Sequence, residues 1–428
     1  MRVALVSNLY PPEVIGGYEL LARDVAEGLR ARGHEVDVLT SGRVAGHEPG
    51  VHRVLTLSRA FGEAGPGPGR DRARHLLAAR RNAAAVTRYV AARGRPDVVL
   101  GMSQRRLGLA PLRALSKHGA QVVVTVNDDW PVAFARTAPR SWKAKLSDVL
   151  DRASEHAADF GGLVVRDAIY VSRAIREAVL RSGAPLPRGT VCAQGVDRAL
   201  FVPGPLRASG PAEPLELLFV GRLHPSKAPD AAIDALAELE ARGVPARLTV
   251  AGSASDPAYG ASLRERAASR GVADRVRWLG QVERDALPGV YRAAHVYLFP
   301  NRLETEGQGL TYLEAMSCGV PVVACPTGGA RELLDEEVAE IAPSCDGPSL
   351  AEAVSSLTPC RVESMCAAAF AMLDERASLD HYVDTLAERL ARAASSTPAT
   401  RARARRRDDE ATVASCEDAP RRSACTAW

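Results

Sequence analysis

Glu306-Gly307-Gln308-Gly309-Leu310-Thr311-Tyr312-Leu313-Glu314-Ala315-Met316-Ser317-Cys318-Gly319-Val320-Pro321-Val322-Val323 sets a glycine pair at the start of a helical stretch, with a carboxylate on either side. The first N–H groups of a helix have no partner within it and sit at the positive end of its dipole. They suit phosphate oxygens. Ionised carboxylates accept hydrogen bonds, which sugar hydroxyls donate and phosphate oxygens do not. The stretch therefore fits a sugar joined to phosphate.

At 428 residues the chain exceeds what one hydrophobic core usually serves, so two domains and an appendage are expected. No apolar run approaches the roughly 20 residues a membrane span needs. The apolar start at residues 3–6 is short and soon followed by Pro11 and Pro12, unlike a secretion signal. A cytoplasmic address is the expectation. All eight cysteines lie at or beyond Cys192, without zinc-site spacing or the density of a disulfide scaffold. They read as reduced thiols, mostly buried, and neither a metal site nor a cofactor is implied. Net charge is +4, but residues 1–200 hold 30 lysines and arginines against 19 acids, and residues 201–400 hold 18 against 27. Two readings stand: solvated surfaces with attraction between domains, or a basic first domain that draws an anionic acceptor or membrane.

Valine-rich apolar runs at 2–7, 35–39, 97–100, 121–126 and 168–171 predict buried strands. Helices are predicted near 18–32, 71–93, 105–118 and 173–182. This βαβ alternation belongs to a doubly wound parallel sheet. After a Pro and Gly cluster at 202–214 the pattern restarts, with strands at 215–221, 247–252, 275–280, 296–299 and 320–324. The fold class is α/β: a domain over 1–201, a linker over 202–214, and a second Rossmann-like domain over 215–378. Two such domains facing each other leave a cleft at the carboxyl ends of their strands. Residues 395–428, with five arginines in 401–407 and no periodicity, read as a disordered tail. The tail lacks aromatic interleaving, so no nucleic acid partner is expected.

Two loops add chemistry. The first strand runs into Gly16-Gly17 just before a helix, where the backbone can approach a ligand closely or simply make a tight turn. The strand at 215–220 ends in Gly221-Arg222-Leu223-His224-Pro225-Ser226-Lys227. An arginine fork and a lysine point charge on such a loop can hold a diphosphate and offset charge as it leaves, although loops also carry solvated lysines. Gly252 and Gln281-Val282 follow successive strands. Cys318 and Cys325 read as core thiols. Asp167 and Ser172 fit only a turn and a helix cap.

Together these elements resemble family 4 retaining glycosyltransferases, which have the GT-B fold. The 306–314 stretch resembles their E-x7-E motif, and Arg222 with Lys227 resembles the family's GR…K element. The resemblance covers about residues 1–394. It implies a nucleotide diphosphate sugar donor, with Arg222 and Lys227 on the diphosphate, Glu314 on the ribose hydroxyls and Glu306 on the transferred sugar. It also implies donor-binding roles for Gly16, Gly17, Gly221, Gly252, Gln281, Val282, Gly307, Gln308, Gly309 and Leu310. The last helix, 379–394, would return to the first domain. The resemblance departs at Asn127-Asp128-Asp129, where many members carry a histidine over the donor sugar. Asn127 cannot act as a base at neutral pH, but its amide donates and accepts hydrogen bonds. Asp128 and Asp129 either bind acceptor hydroxyls or cap the next segment.

The expected activity is retaining transfer of a hexose or aminohexose to an acceptor hydroxyl. Glycan, lipid and small-molecule acceptors all fit this reading; membrane contact is the less favoured one. One alternative is an epimerase or phosphorylase on the same fold, and the other is a sugar-nucleotide-binding homologue without catalysis.

Overall fold

The computed structural model describes residues 1–42, 48–58, 68–135, 160–204, 213–304 and 307–395. Glu306, linker residues 205–212 and the tail beyond 395 therefore lie outside the described residues, as do parts of the loops at 44–69 and 128–140.

The first sheet contains β1 (Arg2–Val6), β2 (Glu35–Thr40), β3 (Val51–Arg53), β4 (Val98–Gly101), β5 (Gln121–Val126), β6 (Val165–Tyr170) and β7 (Thr190–Val191). Its order is β3-β2-β1-β4-β5-β6-β7 and all its pairs are parallel. Helices α1 (Gly17–Ala31), α2 (Pro68–Arg93), α3 (Ala110–Lys117) and α4 (Arg173–Arg181) connect these strands. Both faces are covered, which is why the strands read as continuous apolar runs. Along β1, Ala4 and Val6 join the cluster under α2, α3 and α4, whereas Val3 and Leu5 join the one under α1. Helix α1 buries Leu21, Ala22, Val25, Ala26 and Leu29, a stripe at helical spacing. Ser172 caps α4 by accepting from the Ile175 N–H at 3.2 Å.

The second sheet contains β8 (Leu215–Val220), β9 (Ala246–Ala251), β10 (Val276–Gly280), β11 (Val296–Pro300), β12 (Val322–Cys325) and β13 (Glu340–Ile341). It is again parallel, in the order β10-β9-β8-β11-β12-β13. Its helices are α5 (Pro229–Ala241), α6 (Pro257–Ser269), α7 (Leu287–Arg292), α8 (Thr311–Ser317), α9 (Gly347–Ser355) and α10 (Pro359–Arg376). Two apolar clusters flank this sheet in turn. Helix α11 (Leu379–Ser395) follows α10, yet its Tyr382, Val383, Leu386 and Leu390 are buried with α1 and β1 of the first sheet.

The expectations at 168–171, 105–118 and 320–324 need correction. Strand β6 begins at Val165, and α3 does not begin until Ala110, because Gly108 at φ +70° turns the chain. Strand β12 spans Val322–Cys325. Of the eight cysteines, the six among the described residues are free, and four of those are buried. Burial pushes the Cys318 thiol up to about 12 and Cys366 up to about 11, so neither is an activated nucleophile at neutral pH.

Candidate functional site

Strand order reverses beside β1 in the first sheet and beside β8 in the second. Ligands of doubly wound sheets sit outside the carboxyl ends of the strands at such points. The loops leaving β1, β8 and β11 carry Gly16-Gly17, Arg222 to Lys227 and Gly307 to Glu314 respectively, so topology brings the sequence-marked segments to one place.

Backbone hydrogen bonds zip the second domain's loops together. Gly221 N–H donates to the Ala251 carbonyl at 2.9 Å, Gly252 N–H to Gly280 at 2.7 Å and Leu223 N–H to Ser253 at 3.0 Å. A side chain at Gly252 would begin 1.8 Å from the Gly221 oxygen, so only glycine fits this approach. Arg222 is exposed and Lys227 half-buried on the short 3-10 turn Pro225–Lys227. The Arg302 N–H donates to the Ser226 carbonyl at 2.8 Å, tying the β8 loop to the β11 loop. Gln281 is exposed and Val282 half-buried beside the same edge.

Beyond β11, the Tyr291 hydroxyl donates to Glu314 Oε2 at 2.7 Å. Burial raises the Glu314 pKa, while Tyr291 and the charge of Arg284 pull it down. Arg284 also pairs with Asp24 of α1 at 2.5 Å, across the two domains. Gln308 is held by the first domain. Its Oε1 accepts from the Gln194 N–H at 2.8 Å and its Nε2 donates to the Gln194 carbonyl at 3.1 Å. The side chain is 2% exposed and fully engaged with the first domain's backbone. Gly309 has φ +87° and Leu310 precedes α8, with its Cδ1 3.1 Å from where a Gly17 Cβ would stand.

On the first-domain side, Glu19 Oε2 accepts from Gly16 N–H at 2.9 Å and Ile15 N–H at 3.3 Å. It takes up the Gly16 amide that the sequence reading assigned to phosphate. Burial raises the Glu19 pKa against those amides and the charge of Arg222. Asn127 follows β5 and is 6% exposed, and its amide reaches no partner at full hydrogen-bond distance and angle. Asp128 Oδ1 accepts from the Trp130 N–H at 2.7 Å, closing a local turn, while Asp129, the cap residue of the 3-10 segment Trp130–Phe134, makes no side-chain capping bond. Arg105 lies 2.5 Å from Asp129 and 3.6 Å from Asp128.

The two domains touch along a seam of small residues. A Cβ on Gly307 would stand 1.9 Å from the Asn127 carbonyl, and one on Gly329 would stand 1.8 Å from the Gly307 carbonyl. Glu332 Oε1 accepts from the Ala174 N–H of α4 at 2.8 Å. Beside this seam a cavity of about 240 Å³ is lined by Arg173, Cys192, Gln308, Glu332, Arg376 and His381. Among the described residues no group of three His, Cys, Asp or Glu side chains could hold a metal ion. A cleft that brings cations, backbone amides and a carboxylate together has the chemistry to hold phosphate oxygens and hydroxyl groups. Sequence reasoning missed Glu19 and Asp24, on the helix that follows the glycine turn, and Gln194, Arg284 and Tyr291, which come from distant segments. Only Glu19 carried a signal, as the third helical residue after a turn.

Residues 15–200 match the family model described as Glycosyltransferase Family 4, and residues 214–358 the one described as Glycosyl transferases group 1. The D-inositol 3-phosphate glycosyltransferase of Geodermatophilus obscurus is 35% identical over 239 residues, which are 52% of this chain and 53% of that protein. Its namesake in Kineococcus radiotolerans is 40% identical over 168 residues, 36% of this chain and 38% of that one. The chain thus spans about half the length, or less, of the curated relatives it matches. Among solved structures, HepE of Anabaena in complex with UDP has a TM-score of 0.65 at 21% identity, over 93% of this chain and 100% of that one. Sucrose-phosphate synthase of Thermosynechococcus elongatus has a TM-score of 0.70 at 21% identity, over 92% and 100%. At such identities the likeness is one of fold.

Proposed function

The chain belongs to the family 4 type of GT-B glycosyltransferases, and from that premise we propose that it moves a hexose or aminohexose from a nucleotide diphosphate to an acceptor hydroxyl with retention of configuration. The observation that carries this reading is the meeting of Arg222 and Lys227 on the β8 loop with Gly309, Leu310 and Glu314 beyond β11 at one topological switch point. That set matches a diphosphate followed by a ribose. Gly16 and Gly17 close the cleft from the other domain, and Glu306 and Asn127 are assigned to the transferred ring.

In the proposed front-face path, the bond from the anomeric carbon to the phosphate oxygen breaks as the acceptor oxygen approaches from the same side. The leaving diphosphate takes up the acceptor's proton. Arg222, Lys227 and the amides near Gly309 stabilise the charge that develops on it, and closure along the Gly307 seam excludes water. HepE has been solved with UDP and with UDP-glucose, so UDP-glucose is the first donor to try. The relatives named for D-inositol 3-phosphate make inositol phosphates the first acceptors to test.

Incubation with UDP-, GDP- and ADP-linked sugars, followed by assay of free nucleoside diphosphate and product analysis on pooled acceptors, tests the reading. Release is expected, and Arg222→Ala or Lys227→Ala should lower it at least ~100-fold. Binding without turnover would favour the non-catalytic homologue, and near-normal turnover in both variants would overturn the diphosphate assignment.

A further inference from the structure

Buried polar atoms from three separate elements meet at the carboxyl end of β5, within reach of one another but short of ideal hydrogen-bond geometry. Thr125 and Tyr382 are fully buried and Asn127 is 6% exposed. Thr125 Oγ1, both amide atoms of Asn127, and the hydroxyls of Tyr18 and Tyr382 face one another without reaching full hydrogen-bond distance and angle. Strand alternation puts Thr125 and Asn127 on the face of β5 that α11 covers, and Tyr382 stands on α11. Burial raises the pKa of its hydroxyl, and hydrogen bonding to the side chains of Asn127 and Thr125 lowers it, which sets the phenol against both. Tyr18, one residue past the glycine turn, has its hydroxyl pKa raised by burial and by the charges of Asp128 and Tyr382, and lowered by the Asn127 backbone. Folded interiors leave few buried polar atoms unpaired. Several in one place, at the end of a strand that opens into the cleft, form a set of donors and acceptors suited to hydroxyl groups.

We infer that Tyr382, delivered from the chain's last helix, is a positioning residue for sugar transfer: its hydroxyl, with Thr125, fixes which way the Asn127 amide presents its oxygen and nitrogen to the hydroxyls of the transferred sugar. The chemistry is specific. A phenol can donate to Oδ1 or accept from Nδ2, and the adjoining Thr125 hydroxyl biases that choice, so one amide orientation is selected. The sugar-facing end of Asn127 is then set from behind by a helix that follows the second domain in the chain. This inference rests on the glycosyltransferase reading above. It concerns selection among donor sugars and leaves the nucleotide portion untouched, since Arg222, Lys227 and Glu314 belong to other loops.

Tyr382→Phe removes one hydroxyl and keeps the ring, and Thr125→Val removes the other polar atom at nearly constant volume. The probes are UDP, and whichever of UDP-, GDP- and ADP-glucose the wild type turns over, with the matching N-acetylglucosamine nucleotide as competitor. In each variant kcat/KM for the preferred donor should fall about 3- to 10-fold, the worth of one neutral hydrogen bond. The preference between the two sugars should shift, while affinity for the bare nucleoside diphosphate stays within about twofold. An unchanged sugar preference and kcat/KM, with only the melting temperature altered, would mean that these hydroxyls serve packing or a buried water, and would overturn the inference. Thr125→Val provides the same readout if Tyr382→Phe folds poorly. A wild type that turns over no nucleotide sugar would instead refute the glycosyltransferase reading, and the positioning role with it.

Discussion

Burial lifts the Glu314 carboxyl above its ordinary range, and the Tyr291 hydroxyl and Arg284 offset only part of that lift. A carboxyl raised in the folded state holds its proton more tightly there than in the unfolded chain, so its ionisation works against the fold as pH rises through the carboxylate range. Glu314→Gln keeps an acceptor for Tyr291 and removes that charge. The variant should melt no lower than the wild type at pH 7, yet bind nucleoside diphosphate more weakly in calorimetric titration. Glu306→Gln should spare nucleotide affinity and impair use of the sugar; equal loss in both variants would contradict the division of labour. Nucleotide affinity should also fall as pH drops through the raised Glu314 value, sooner than an exposed carboxylate would cause. Gly307 offers a separate test at the same scale. With 1.9 Å between a new Cβ and the Asn127 carbonyl, Gly307→Ala cannot keep the seam closed. Turnover should drop roughly 100-fold, the effect of a misplacement near 1 Å, together with a lower melting temperature; unchanged turnover would show that the seam is not part of the reactive geometry.

Asp37 of β2 joins three elements, since its carboxylate lies 3.2 Å from His52 of β3, 2.8 Å from the Tyr89 hydroxyl and 3.4 Å from Arg93 at the end of α2. Burial pushes its pKa up, but the hydrogen bonds from His52 and Tyr89, with the charge of His52 and the bond from Arg93, outweigh it and hold the carboxyl at about 2. A depressed carboxyl stabilises the fold above its unfolded value and loses that contribution as pH falls through its folded one. The expected contribution is about 2 kcal/mol at pH 7, mostly gone by pH 2. Urea unfolding should therefore show Asp37→Asn less stable than wild type at pH 7, with the deficit shrinking at pH 2; a constant deficit would place the effect elsewhere. Elements of this kind were the hardest to read in the sequence. Central strands announced themselves as valine runs because helices cover both of their faces, but β3, β7 and β13 are two or three residues long and half polar. The 105–118 helix was overextended because apolar Leu107 and Leu109 continue the periodicity through Gly108. The placement of Arg222, Lys227 and the glycine turn at carboxyl strand ends was legible because each follows a strand. Arg284, Tyr291 and Tyr382 were not, because only tertiary folding carries them to Glu314 and Asn127.

Across the whole molecule, α11 binds the halves together: Val383 packs against Gly28 of α1, and Arg32 pairs with Asp384 at 2.6 Å and Asp380 at 3.0 Å. The first 200 residues carry their excess positive charge partly on α2, where Arg74, Arg80, Arg81 and Arg88 are exposed. Arg74, Arg81 and Arg88 recur every seven residues and so share a face, close to Leu77, which is 50% exposed. No helix among the described residues is long and apolar enough to cross a membrane, so any membrane contact by these helices would rest on such a surface stripe. Each charge held near an anionic leaflet contributes roughly 1 kcal/mol, so three leave association weaker than about millimolar. Surface attraction also fades over about 8 Å at physiological ionic strength. A protein ending at residue 395 should therefore stay unbound in flotation with phosphatidylserine vesicles at physiological salt, and show at most weak capture at low salt. Flotation of that protein at physiological salt, abolished by Arg81→Glu with Arg88→Glu, would instead establish α2 as a membrane face and move the acceptor search to lipids.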